Sequence, residues 1–484
     1  MNVVFFNPRA QKAHRRLPLS VLMLARVVKD PWDIVDGNVE PDAVARLEHL
    51  CARPDTILLV TVMPGPQLAV ATPVCRRLKT LYPSLTIVWG GYFPTVHTAA
   101  AAKDVACDIV VIGQGEATLP ALLDALREKR DPAGLPGVAV WRDDALVKGP
   151  GVPAVRPADF GPAPYARLDM DRYAARTFLG ERTFNHHTSA GCPYFCNFCA
   201  VVNMFDGRWI PDPADDVIRV VRHLHDRYRA DAIEFHDNNF FAWEKRCREV
   251  SDGIAGLGVG WWGEGRVDTM LGFSGATWEA MARSGLRMVF YGAESGDQDA
   301  IDGMEKGGLC VDDTRAVNRL AMRHGVRPEF SFVLGNPGDP ERDVARSLEL
   351  IRDLKADNPD CEIILYLYTP VPLPGMYEEA KRQGYALPDT LDAWLSPEWS
   401  GFDRRRDPRT PWLTDRLIRQ VYDFEAVLHA RYPTVSDLNL SPRRRRALRV
   451  ASAARWRFGV YGAPLEIKAL LKLWQYRRPE EMGF

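Results

Sequence analysis

Three cysteines stand close together in the segment Thr188-Ser189-Ala190-Gly191-Cys192-Pro193-Tyr194-Phe195-Cys196-Asn197-Phe198-Cys199, with the spacing C-x-x-x-C-x-x-C. Thiolates are the natural ligands of iron–sulfur clusters. Three of them on one short loop can cover a face of a 4Fe–4S cubane and leave the fourth iron without a protein ligand. An open iron can chelate a substrate, as an open zinc site holds water. The chemistry available to this loop is the delivery of an electron straight into a bound ligand. Zinc is a competing reading, but structural zinc wants four ligands in paired C-x-x-C units. His186 and His187, adjacent to a strand, are awkward partners for it. A merely structural set of thiols fits less well, because Gly, Pro and Asn mark the segment as a loop. Cys51, Cys75, Cys107, Cys247, Cys310 and Cys361 are scattered singly and read as small buried hydrophobes.

The elements that must position this loop come in two α/β runs. In the first ~145 residues, strand signals at 2–6, 32–35, 56–63, 85–89 and 109–112 alternate with helical ones at 17–28, 42–51, 67–81 and 119–130. Strands rich in Val and Ile between helices imply a doubly wound parallel sheet covered on both faces. A β-hairpin over 138–147 and a Pro/Gly-rich linker follow. The second run places strands at 187–189, 232–235, 261–264, 288–292, 329–333 and 362–367. Helices are expected at 214–228, 245–256, 277–284, 311–324 and 343–355. Regular βα units suggest a partial or full barrel, whose chemistry gathers at the C-terminal strand ends. After about residue 380 the remainder reads as helical. The expected division is 1–150, a linker over 151–182, a barrel over 183–385 and a helical region over 386–484.

A C-x-x-x-C-x-x-C loop directly after the first strand of a βα barrel, with aromatic Phe198 before its third cysteine, resembles the radical SAM superfamily. Glu234-Phe235-His236-Asp237-Asn238-Asn239-Phe240 resembles the acidic segment ending that family's second barrel strand. Gly292-Ala293-Glu294-Ser295-Gly296 resembles its G-x-E-S-G segment at the fourth. Leu334-Gly335-Asn336-Pro337-Gly338-Asp339 resembles its G-L-P-G-E turn after the fifth, with Asn336 and Asp339 as departures. The resemblance covers about residues 185–380. It implies that Cys192, Cys196 and Cys199 ligate a 4Fe–4S cluster whose open iron binds S-adenosylmethionine. Reductive cleavage of that molecule yields a 5′-deoxyadenosyl radical. Phe198, Glu234, Gly292 and Glu294 become candidates to contact the cofactor, and Arg266 to pair with its carboxylate. An electron donor such as flavodoxin or ferredoxin is implied as well.

Gly65, Gly90, Gly91, Gly113 and Gly115 fall at strand ends of the first run, where doubly wound sheets bind ligands. Tight turns alone would explain them. The order Gly90-Gly91-Tyr92-Phe93-Pro94-Thr95 then Gly113-Gln114-Gly115-Glu116-Ala117-Thr118 resembles the cobalamin-binding domain fused ahead of many radical SAM barrels. Cobalamin binding is thereby implied for those glycines and Glu116. The D-x-H-x-x-G motif that would ligate cobalt from below is missing; Pro64-Gly65-Pro66-Gln67 stands in its place. His97 is a weak substitute.

The chain has 484 residues, is 46% hydrophobic and 26% charged, and carries a formal net charge of -1. It is thus no general polyanion binder, and nucleic acid is not an expected partner. From 441 to 484, however, eleven Lys/Arg face three Asp/Glu. The helical stretch from Arg443-Arg444-Arg445-Arg446 to Arg477-Arg478 suits a basic cap over the barrel mouth, or contact with an anionic membrane surface. No apolar run is long enough to span a bilayer, and the N-terminus does not read as a signal peptide. The expected location is the cytoplasm, with the inner membrane face as a peripheral option. The resemblance implies methylation of an unactivated carbon in a small or lipid-like molecule. Oxidation, cyclisation or rearrangement, as in the anaerobic magnesium-protoporphyrin monomethyl ester cyclase class, is the second reading, and a non-catalytic cobalamin or cluster sensor the third. Tyr366, Tyr368 and Trp262 are candidate pocket aromatics.

Overall fold

The computed structural model describes residues 1–10, 15–399 and 410–476. The first seven strands are β1 (Asn2–Asn7), β2 (Trp32–Asp36), β3 (Thr56–Thr61), β4 (Thr86–Gly90), β5 (Ile109–Val111), β6 (Val138–Arg142) and β7 (Ala145–Lys148). They form one sheet in the order β2-β1-β3-β4-β5-β6-β7. The strands from β1 to β5 pair parallel. The expected hairpin is therefore not a separate unit: β6 pairs antiparallel with β5, and β7 with β6. Successive side chains enter two cores. Val3, Phe5, Ile57, Leu59 and Val88 join one, and Val4, Phe6, Leu58, Val60, Ile87 and Trp89 the other. That alternation is why these strands read as unbroken apolar runs. Leu391 and Trp394, from far along the chain, complete the second core.

The sequence pattern over 17–28 suggests one helix, but the structure has only Leu19–Leu24 followed by a 3-10 turn, Ala25–Val27. Pro18 fixes the start, and Leu17 is already committed elsewhere. Its amide donates to Asn185 Oδ1 at 2.8 Å, and its carbonyl accepts from Asn185 Nδ2 at 3.3 Å.

The second run contributes β8 (Thr183–His186), β9 (Ser189–Gly191), β10 (Trp209–Pro211), β11 (Ala232–Phe235), β12 (Gly260–Gly265), β13 (Leu286–Glu294), β14 (Arg327–Leu334) and β15 (Glu362–Leu367). Six of them form a parallel sheet in the order β15-β14-β13-β12-β11-β8. β8 and β15 are its two edges, so the barrel is partial. Phe235, Trp261, Tyr291, Phe330, Ile363 and Leu365 pack outward into a core continuous with one face of the first sheet. By strand alternation, Glu234, Trp262, Glu264, Phe290 and Ser331 point to the concave interior.

The strand expected at 187–189 is displaced. The sheet strand ends at His186, and Ser189–Gly191 instead forms a two-stranded antiparallel ribbon with Trp209–Pro211. Asp237, just past β11, is the reason. Its buried carboxylate accepts from the amides of Thr188 (2.5 Å) and Ser189 (3.1 Å), drawing the chain off the sheet.

Beyond the barrel, the helices Asp415–Arg431, Pro442–Phe458 and Leu465–Leu473 follow. The basic stretch does not cap the barrel mouth. Val435 donates its amide to Glu362 at the start of β15, and Arg352 donates to the Trp456 carbonyl, so these helices lie against the outside and the N-terminal strand ends. Thr410–Leu413 sits at the mouth instead, where Trp412 Nε1 donates to the Gly335 carbonyl at 2.9 Å. Arg477 and Arg478 lie outside the described residues. No described helix is long and apolar enough to cross a membrane.

Candidate active site

The three-cysteine loop is held at both ends. At its entry, Thr188 Oγ1 donates to Asp237, and Arg246 donates to the Thr188 carbonyl (2.8 Å), to Thr188 Oγ1 (2.6 Å) and to the Asp212 carbonyl (2.9 Å). Gly191 has φ +78°, and a Cβ there would collide with the Arg208 carbonyl, so only glycine makes the turn into Cys192. Further on, the Asn197 amide and carboxamide donate to the carbonyls of Met304 (3.2 Å) and Gly303 (3.0 Å), beyond β13. Cys196 to Val202 then coils, with Cys199 N donating to Cys196 O and Val202 N to Cys199 O, both at 3.1 Å.

Cations surround the sulfurs. Arg266, just after β12, directs a guanidinium nitrogen to Cys196 Sγ at 3.5 Å. Asp268 fixes it through two bonds of 3.0 and 2.7 Å, and its plane lies 3.9 Å from the Tyr194 ring centroid. Asn239 Nδ2 reaches Cys192 Sγ at 3.9 Å. Burial pushes both thiols up, while Arg266 and Lys306 work in the opposite direction. Among the described residues no three His, Cys, Asp or Glu side chains converge on a single ion. A cubane does not ask for that, since each thiolate holds a different iron. Three buried polar atoms bordering the loop, Ser189 Oγ, Asn197 Oδ1 and Asn239 Oδ1, have no hydrogen-bond partner. A donor set of three thiols, flanking cations and unfilled polar atoms fits an anionic cluster with a polar ligand. His186 is not part of it, because its Nδ1 is bonded to the Tyr165 hydroxyl at 2.8 Å.

Glu294 is buried at the end of β13 with φ +63°, where the pairing with β14 shifts register. Such bulges re-aim side chains beside active sites. Its carboxylate pairs with Lys306, whose Nζ also donates to the Gly292 carbonyl at 2.6 Å. A Cβ on Gly292 would strike both Glu294 and Lys306. Phe198 leans on Met304, Val333, Tyr368 and Met376 at the barrel mouth.

The opposite wall of the interior is built differently. Glu234 accepts from Arg16 (3.1 Å) and contacts His236 Nε2 (3.0 Å). Arg16 arrives from the first sheet's β1 loop. His236 stands 5.2 Å from the Trp262 ring, whose Nε1 donates to Glu329 at 3.3 Å. Glu264 makes no hydrogen bond or ion pair among the described residues. Burial, then Asp237, holds its carboxyl up to about 8. It is half-buried, and strand alternation directs it to the concave interior.

At the first sheet, Gly65, Gly91 and Gly115 sit where the helices Pro66–Leu81, Tyr92–Val96 and Gly115–Arg127 begin, all at C-terminal strand ends. Gly91 has φ +94°, and a Cβ there would press on Thr61 Oγ1 at 3.1 Å. Gly90 has no such constraint. Gly113 receives the backbone of Met204, 3.4 Å from where its Cβ would be, so the segment after the cysteines docks on this edge. Glu116 is half-buried, and burial raises its carboxyl against its own backbone amide and Arg26. Met63, 47% exposed after β3, offers an apolar shelf beside these glycines. Gln67 is turned away to Asn7 and the Pro8 carbonyl, both at 3.2 Å. His97 is packed between Trp394 and Phe93, 4.6 and 5.1 Å away, so it is a core residue and no axial ligand. A glycine-lined edge with an apolar shelf fits a corrin that takes no histidine from His97.

Asp237, Arg246, Lys306, Asp268 and Arg16 were not singled out from the sequence as site residues. Asp237 alone had a signal, its place in the acidic segment.

Family profiles match the chain twice, the B12 binding domain over residues 13–123 and the Radical SAM superfamily over 187–351. An uncharacterised methyltransferase of Pyrococcus horikoshii is 27% identical over 369 residues, 74% of this chain and 79% of its own length. The anaerobic magnesium-protoporphyrin IX monomethyl ester cyclase of Synechocystis is 24% identical over 386 residues, 76% of this chain and 75% of its own. Among solved structures, the radical S-adenosylmethionine methyltransferase TsrM of Kitasatospora setae, with cobalamin and a [4Fe-4S] cluster, superimposes with TM-score 0.66 at 17% identity, over 98% of this chain and 99% of that one. At that identity the likeness concerns the fold. The two profiles fall on the two sheets whose strand ends were described above, and the chain belongs to the radical SAM superfamily, with a B12-binding domain ahead of its radical SAM domain.

Proposed function

We propose that this chain is a cobalamin-dependent methyltransferase acting on an unactivated carbon of a small or lipid-like molecule. The observation that carries the reading is the physical junction of the two sites: the segment following Cys199 docks on Gly113 of the B12-binding edge. When bound, the cluster, S-adenosylmethionine and cobalamin supply a 5′-deoxyadenosyl radical and a methyl donor. Cys192, Cys196 and Cys199 hold the cluster. Arg266, locked by Asp268, Tyr194 and the carbonyls of Lys306 and Gly307, points its remaining nitrogen at Cys196, where a ligand carboxylate would meet it. Glu294, neutralised by Lys306, presents carboxylate oxygens at the end of β13, next to Gly292 and near Phe198. Glu234, tethered by Arg16, ties the interior of the barrel to the β1 loop of the B12-binding domain. Gly65, Gly90, Gly91, Gly113, Gly115 and Glu116 line the corrin edge. Domain limits of 1–150, 183–385 and 386–484, with a linker over 151–182, accord with these roles. The reductant is a small electron carrier of the flavodoxin or ferredoxin type.

The test is anaerobic reconstitution with iron, sulfide, hydroxocobalamin, S-adenosylmethionine and reductant, with Cys196→Ala as control. 5′-Deoxyadenosine together with cobalamin-dependent S-adenosylhomocysteine is expected, and neither from the variant. 5′-Deoxyadenosine without S-adenosylhomocysteine would favour oxidation or cyclisation, the reading that likeness to the cyclase supports.

A further inference from the structure

The helices Pro442–Phe458 and Leu465–Leu473 bury one face on Val427, Ala430 and Leu440 through Leu448 and Ile467. Their other face is unusual. Val450, Phe458, Leu465 and Leu473 are each at least 70% exposed, which no other large apolar side chain among the described residues reaches. Val460 stands out beside them in the connecting turn, at 55%. At 1.5 Å per residue, Val450 lies about 12 Å behind Phe458, and Leu473 about 12 Å behind Leu465. The patch is therefore two helices wide, with its apex at the turn.

The same face carries cations without counter-ions. Arg443, Arg446, Arg449, Arg457 and Lys472 are exposed and form no ion pair among the described residues. The nearby acids are already taken: Glu466 binds Arg455, and Asp423 binds Lys468 at 2.6 Å. Arg449 also borders a groove of about 370 Å³ lined by five cations and two carboxylates. Arg431 Nε in that groove is buried and has no partner.

We propose that this two-helix face is a docking surface for an anionic lipid bilayer. Its apolar apex would lie at the boundary between headgroups and acyl chains, its arginines would meet lipid phosphates, and the groove beside Arg449 would accept a headgroup. Nucleic acid would be met by the cations but has no use for Phe458, Val460 and Leu465 at the apex. Large exposed apolar side chains combined with unpaired basic ones mark helices that lie in a membrane interface.

The experiment is co-sedimentation of the full chain with vesicles of phosphatidylcholine, alone or mixed with phosphatidylglycerol. Binding is expected only to the mixed vesicles, and it should weaken with salt. Replacing Arg443, Arg446 and Arg449 together by Ser should lower the partition constant about 100-fold, at roughly fivefold per cation. The pair Phe458→Ser and Leu465→Ser should lower it about tenfold or more. All five positions are exposed, so near-UV circular dichroism and cobalamin retention should match the wild type. Equal binding to both vesicle types, or no binding, would overturn the proposal. So would a dimer in sedimentation velocity that the apolar pair abolishes, or tight binding of single-stranded RNA without vesicle binding.

Discussion

Replacing Glu264 by Gln should make the folded chain more stable, by an amount that grows as pH rises from about 4.5 to about 8. Glu264 projects into the barrel with no partner among the described residues, and its carboxyl is held at about 8 against 4.5 for an ordinary glutamate, first by burial and then by Asp237, with Arg16 opposing. Between those two values the folded chain keeps a proton that the unfolded chain has released. Stability therefore falls as pH rises across this window and is level on either side of it. At about 1.4 kcal/mol per unit, the full shift bounds the effect near 5 kcal/mol. The residue retains surface on the interior, where water screens it, so about 2–3 kcal/mol is the expected size. Gln cannot ionise and removes the effect. Urea unfolding of both proteins, followed from about pH 5 to about pH 9, reads it, because titrations common to both cancel in the difference. The curves should coincide at the acid end and diverge in favour of Gln toward the alkaline end. Parallel curves would mean that Glu264 is solvated or paired, and the reasoning would fail.

Lys306→Met strands the buried Glu294 carboxylate and should cost about 3–5 kcal/mol, whereas Lys306→Met with Glu294→Gln should recover most of it; thermal unfolding of the pair checks this. Asp237→Ala frees the Thr188 and Ser189 amides and removes one of the carboxylates whose charge offsets the buried Arg246. It should cost a similar amount and lower the iron bound per chain after reconstitution, measured colorimetrically. Gly191→Ala forces a left-handed backbone and a clash with the Arg208 carbonyl. A loss of about 2 kcal/mol or more, with impaired cluster incorporation, is expected from unfolding and absorbance measurements.

Much of the fold was legible because local pattern and tertiary demand agree. β11 and β15 coincide with the expected 232–235 and 362–367 residue for residue, since each alternates between a helix-packed face and the interior. The first barrel strand was misplaced because Asp237, about fifty residues on, reclaims two amides that a strand would have used. The cysteines were legible because spacing alone sets their chemistry. Lys306 was not, since nothing in its neighbourhood marks it, and only the bulge at Gly292 brings it to Glu294. Arg16 was invisible for a stronger reason: its partner lies in the other sheet, and no periodicity within one element encodes contacts between two. The hairpin is legible as a hairpin, but its fusion to the first sheet depends on β5 having a free edge.

Leu391 and Trp394 fill the far face of the first sheet, with the Trp394 ring 5.3 Å from Phe93 and perpendicular to it. During synthesis this face waits until the barrel has been translated, roughly ten to fifty seconds after β7 at ordinary elongation rates. Until then the helices Ala43–Cys51 and Pro66–Leu81 cover most of that face, and the part around Phe93 that Leu391 and Trp394 fill stays uncovered. The barrel is thus threaded between two parts of a single folding unit, and the emergence of Leu391 and Trp394, rather than completion of the first sheet, is the moment at which the N-terminal half can reach its full stability. A fragment ending at the last barrel strand would inherit that uncovered face as an aggregation hazard.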